Sequence, residues 1–79
     1  MIIMEQALLL ILASSFSPET LEKIRQIKGV ITAQLIYGPY DIFVTINTKD
    51  REELREAVMK IRGMEGIKST VTCNVIPPL

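Results

Sequence analysis

The sequence predicts an α+β fold in the order strand, helix, strand, strand, helix, strand. Three observations carry this: apolar runs of strand length at Gln6–Ala13 and Ile42–Ile46, helix starts marked by capping residues at Ser17 and Asp50, and a repeated helix-to-strand junction. The repeat sets Lys23-Ile24-Arg25-Gln26-Ile27-Lys28-Gly29-Val30 against Lys60-Ile61-Arg62-Gly63-Met64-Glu65-Gly66-Ile67. Each copy closes a helix and enters a strand, so the chain divides into two β-α-β halves in tandem. Such halves combine as the ferredoxin-like β-α-β-β-α-β sandwich, an antiparallel four-stranded sheet with two helices on one face.

Each element follows from its residues. Gln6 to Ala13 is almost uniformly apolar, as in a strand covered on both faces, and belongs at the sheet centre. Ser17-Pro18-Glu19 supplies an N-cap, a proline at the first helical position and an acid in the first turn; Leu21, Ile24 and Ile27 then form one helical face ending at Gly29. Val30 to Tyr37 alternates, with Val30, Thr32, Gln34 and Ile36 on one side and Ile31, Ala33, Leu35 and Tyr37 on the other, which suits an edge strand. Ile42 to Ile46 repeats the apolar signature of a central strand. Asp50 and Glu53 have capping-box spacing, and Leu54, Ala57, Val58 and Ile61 make the buried stripe of a second helix that stops at Gly63 to Gly66. A last edge strand, Ile67 to Ile76, places Ile67, Ser69, Val71, Cys73 and Val75 on one face, and Pro77 and Pro78 end it.

The 79 residues fit one domain, 1–79, and so short a chain buries only part of its surface alone. Its apolar fraction of 48% is large for that interior, and two helices cover only one face of a sheet whose central strands are apolar on both. A second copy stacked sheet against sheet is the economical cover, so a homo-oligomer is expected, with dimerisation through the open face. Nine basic and nine acidic residues cancel, which leaves no electrostatic footprint for nucleic acid or an anionic membrane. One cysteine makes no internal disulfide, so a cytoplasmic location is expected. The apolar stretch Ala7–Ala13 has Glu5 upstream and no Lys or Arg, unlike a secretory leader. It is also far shorter than the roughly 20 residues of a membrane span.

The composition excludes much chemistry. With no histidine there is no imidazole acid, base or metal ligand, and the acids Glu19, Glu22, Glu52, Glu53 and Glu56 fall on helix surfaces. Cys73 shares a strand face with Val71 and Val75, which points to a buried structural thiol. Gly29, Gly38, Gly63 and Gly66 do not open a helix after a strand with phosphate-loop spacing. No catalytic residue, metal or cofactor is expected.

What remains is the turn Gly38-Pro39-Tyr40-Asp41, joined at the other end of the chain by Thr70-Val71-Thr72. One reading makes Asp41 a turn former, Tyr40 an interface side chain and the threonines ordinary strand residues. The other has the carboxylate, hydroxyls and free turn amides capture a small zwitterion at a subunit boundary, Asp41 meeting an ammonium group and backbone N–H groups meeting a carboxylate.

Ile27-Lys28-Gly29-Val30 entering a strand, Gly38-Pro39-Tyr40-Asp41 before another, and Gly66-Ile67 followed by Ser69-Thr70-Val71-Thr72 resemble, in that order, the amino-acid-sensing RAM domain of the Lrp/AsnC transcriptional regulators. The resemblance spans essentially the whole chain. It implies a ferredoxin-like fold, dimers built from facing sheets, rings of dimers, and an amino-acid effector bound between dimers. By the same resemblance the effector-binding positions are Gly38, Tyr40, Asp41, Thr70 and Thr72. Regulators of this family carry a helix-turn-helix domain ahead of the sensing domain, and 79 residues leave no room for one. The expectation is a stand-alone sensing domain without direct DNA contact, acting on transcription or metabolism through itself or mixed assemblies with full-length regulators. The alternatives are a small dimeric enzyme on the same fold and a purely structural assembly module.

Overall fold

The computed structural model describes residues 5–15 and 17–76. Its elements are β1 (Glu5–Ala13), α1 (Pro18–Arg25), β2 (Val30–Leu35), β3 (Ile42–Thr48), α2 (Arg51–Arg62) and β4 (Ile67–Asn74). The strands lie in the order β2-β3-β1-β4, with every neighbouring pair antiparallel. The ferredoxin-like arrangement expected from the tandem halves is therefore present, with the two apolar strands β1 and β3 at the centre. The prolines expected to end the last strand lie outside the described residues. No helix among the described residues is long and apolar enough to cross a membrane.

The helices start where their caps dictate. Ser17 Oγ accepts from the Thr20 backbone N–H at 3.3 Å, and Asp50 Oδ1 accepts from that of Glu53 at 2.9 Å, each satisfying a donor that the first helical turn leaves orphaned. The core forms where one face of the sheet meets the helices. Ala7, Leu9 and Ile11 of β1, Ala33 of β2 and Ile42, Val44 and Ile46 of β3 are buried beneath Ile24 of α1 and Leu54, Ala57 and Ile61 of α2. The helix α1 ends at Arg25, short of the expected Gly29; Ile27 still packs on the core from the following turn.

Two β-bulges change the facing of the edge strands. Val30 pairs with Ile46 but Thr32 pairs with Thr45, so Ile31 is the extra residue in β2. Likewise Ile67 pairs with Ala13 but Ser69 with Leu12, so Lys68 is extra in β4. In each half the residue after the junction glycine turns into the core, and the rest of the strand follows the opposite phase. Val30 and Thr32 thus do not share a face, nor do Ile67 and Ser69, contrary to strict alternation. The register places Cys73 opposite Leu8 and Val71 opposite Leu10, on the helix-free face. Cys73 is exposed there, which corrects the expectation of a buried thiol. Alternation grouped it with Val71 properly, but a single strand does not reveal which of its faces the helices cover.

Candidate functional site

The turn between β2 and β3 is built around Asp41. Its backbone carbonyl accepts from the Ile36 N–H at 3.0 Å and closes the turn, while its own N–H donates to the Ile11 carbonyl at 2.8 Å. Its Oδ2 accepts from the Ala13 N–H at 2.8 Å. The β1–β3 ladder ends at the Ile11–Ile42 pair, so the carboxylate supplies the acceptor that a further β3 residue would have given Ala13. Asp41 is a turn former in this sense. Oδ1 accepts no hydrogen bond among the described residues and remains free for another donor.

Beyond Ala13 the chain is held from the other side, where the Ser14 N–H donates to the Gly66 carbonyl at 2.8 Å. The end of β1 is thereby gripped between Asp41 and Gly66. An open cleft of about 530 Å³ lies over it, lined by Ala13, Ser14, Ser15, Leu35, Ile36, Tyr37 and Asp41. One wall is apolar, the floor carries serines and a carboxylate, and Tyr37 stands fully exposed at the rim. Such a surface suits a small cation with an apolar tail: a fixed carboxylate oxygen for the charge and aliphatic side chains for the remainder.

The five positions singled out from the sequence do not meet in one cavity of the protomer. Asp41 lines the cleft; Gly38, with a φ of 138°, and half-buried Tyr40 belong to the same turn but do not line it. Thr70 pairs with Ile11 and Thr72 with Leu9, so both lie across β1 from the turn, on the helix side of β4. At about 4.8 Å per strand, Thr70 sits roughly 10 Å from β3, two strands away. Thr72 lines a separate groove with Arg51, Leu54, Arg55, Val58, Met59 and Arg62. Reading by motif missed Ser14, Ser15, Leu35, Ile36 and Tyr37. The pair of serines directly after an apolar strand was the one local signal for them.

Residues 12–77 match the family model described as the Lrp/AsnC ligand binding domain. Among solved structures, FFRP-DM1 superposes with a TM-score of 0.82 at 30% identity, covering 91% of this chain and 99% of that one. E. coli AsnC superposes with a TM-score of 0.83 at 25% identity, covering 94% of this chain and 52% of AsnC. Among curated proteins, the homocitrate synthase of Sulfolobus acidocaldarius is 34% identical over 61 residues. That match takes in 77% of this chain but only 13% of the synthase, so what is shared is a small segment of a much longer enzyme. The sequence match over most of the chain and the shared fold agree: this chain belongs to the Lrp/AsnC ligand-binding domain family.

Proposed function

We propose that the chain is a non-catalytic effector-binding module whose ligand is a small amino acid, held at the β2–β3 turn and sensed through assembly. The observation that carries this is the clamped Asp41: Oδ2 is committed to Ala13, so the carboxylate is held in a fixed position at a cleft that Leu35 and Ile36 also line. An α-ammonium group is the natural partner for the free oxygen, and the exposed turn amides around Gly38 suit the α-carboxylate. Because Thr70 and Thr72 lie across β1 from the turn, a site using all of Gly38, Tyr40, Asp41, Thr70 and Thr72 requires threonines from a second protomer. Effector binding and ring assembly are then coupled, and mixed assembly with full-length regulators follows from the same contacts. The homocitrate synthase match fits a module that occurs in more than one protein context, without lending the synthase's activity to this chain.

Thermal unfolding against each common amino acid tests the reading. A ligand at a hundredfold its dissociation constant stabilises by about 2.7 kcal/mol, a shift of several degrees in a domain of this size. One or a few selective hits, abolished by Asp41→Asn in a protein that stays folded, are the expected result. No hit at millimolar concentration, or hits insensitive to Asp41→Asn, would sink it.

A further inference from the structure

Resting on the effector reading above, we propose that the Asp41 cleft reads only the cationic and apolar parts of its ligand, so that a primary alkyl amine lacking a carboxylate occupies it and blocks effector-driven assembly.

Charge is the first reason. Among the described residues Asp41 is the only charged side chain that lines the cleft. The adjoining groove, which shares Ser15, holds Lys23 together with two acids, Glu19 and Glu65, and so adds no net positive charge. Arg25, beside β2, is committed: Nε and Nη2 donate to the Ala33 carbonyl at 3.1 and 2.8 Å, and Nη1 to Glu22 at 3.2 Å. Lys68, in the β4 bulge, lies across β1 from Asp41 and lines neither groove. A ligand carboxylate placed beside Asp41 is therefore repelled with no lining cation to offset it, while an ammonium group is attracted.

The backbone does not make up the missing donors. Ala13 gives its N–H to Asp41 Oδ2 at 2.8 Å, and Ser14 gives its own to the Gly66 carbonyl at 2.8 Å. Ile36 donates to the Asp41 carbonyl at 3.0 Å, and Asp41 to the Ile11 carbonyl at 2.8 Å. The Ser14 hydroxyl also turns to the Gly66 carbonyl, at 3.4 Å. Backbone concavities that hold anions need several unpaired N–H groups converging on one point, and here the fold has used them. The exposed turn amides around Gly38 lie outside the lining.

An amino acid with its ammonium group on Asp41 and its side chain against Leu35 and Ile36 must then turn its carboxylate outward, toward those amides and the second protomer. The carboxylate is the part of the ligand that bridges. Removing it keeps the contacts inside the cleft and deletes the bridge. A ligand shifts an assembly equilibrium only by its preference for one state, so an amine that binds free and assembled protomers alike does not drive assembly. By occupying the cleft it displaces the amino acid that does.

The test uses isoamylamine, whose branched chain suits the aliphatic wall, and isocaproate, its counterpart with a carboxylate in place of the amine. In amide chemical-shift titrations isoamylamine should move the Ala13, Ser14 and Ile36 signals saturably, with affinity weakened about tenfold or more by Asp41→Asn, and isocaproate should leave them in place. In sedimentation velocity the amine should reverse the assembly driven by whichever amino acid raises the unfolding temperature, while sodium chloride at equal ionic strength should not. Three results overturn the proposal and leave the effector reading standing: an amino acid that binds through Asp41 when the amine does not, an amine that drives assembly as the amino acid does, or isocaproate moving the same signals as strongly. Absence of Asp41-dependent binding by amine and amino acids alike overturns both.

Discussion

Asp41 performs a structural task with one oxygen and, in the proposed function, a recognition task with the other, and substitutions separate them. Asp41→Ala removes the acceptor for the half-buried Ala13 N–H and is expected to cost about 1–3 kcal/mol in urea denaturation. Asp41→Asn keeps a carbonyl oxygen there, so stability should fall by less than 1 kcal/mol while the charge offered to an ammonium disappears. The glycines separate in a similar way. At Gly66, φ is 91° and an added Cβ would stand 2.7 Å from the Ser15 carbonyl oxygen, whereas at Gly38, φ is 138° and the space is empty. Gly66→Ala should therefore destabilise by at least 2 kcal/mol and Gly38→Ala by about 1, measured by the same denaturation midpoints. At this scale the sequence was legible where chemistry is local. Asp41 stood out because few residue types suit a tight turn. Ser14 and Ser15 come near it only because Ala13, 28 residues away along the chain, bonds to the Asp41 carboxylate, a closeness no local pattern encodes.

The elements were legible because each is signed at its start and along its buried stripe. Asp50 shows this for α2. Its carboxylate accepts from the Glu53 N–H at 2.9 Å, so Asp50→Ala should cost about 1 kcal/mol and Asp50→Ser a few tenths, read by thermal unfolding. The centrality of β1 and β3 was likewise visible, because Ala7 to Ala13 and Ile42 to Val44 are uninterrupted apolar runs. The facing of the edge strands was not. Ile31 and Lys68 look like ordinary strand residues, yet each is inserted against a partner strand that advances by one. A bulge is settled by how the glycine-led junction meets the neighbouring strand, so it belongs to the tertiary fold. That the same bulge recurs after Gly29 and Gly66 is the structural form of the sequence repeat: both halves use a positive-φ glycine to turn one apolar residue, Val30 or Ile67, into the core before the edge strand begins.

For the whole molecule the open face of the sheet decides whether the protomer stands alone. Leu10 lies at its middle, paired with Phe43 on one side and Val71 on the other, and Leu8 and Leu12 continue the apolar strip along β1. None of these is fully buried in the protomer, in contrast to Leu9 and Ile11, which reach no solvent at all. Burying several hundred Å² of such surface at about 25 cal/mol per Å² yields on the order of 10 kcal/mol, enough to exceed the lower range of association costs. Leu10→Lys puts a charge at the centre of that strip without touching the helix-side core. Sedimentation equilibrium should show the unmodified chain as a dimer or larger and the variant as a monomer, with far-ultraviolet circular dichroism unchanged. If the effector site takes threonines from a second protomer, the monomeric variant should also lose the amino-acid-induced thermal shift although Asp41 and its cleft are intact. A variant that stays dimeric would place the interface elsewhere; one that is monomeric yet still binds would confine the effector to the Asp41 cleft of a single protomer.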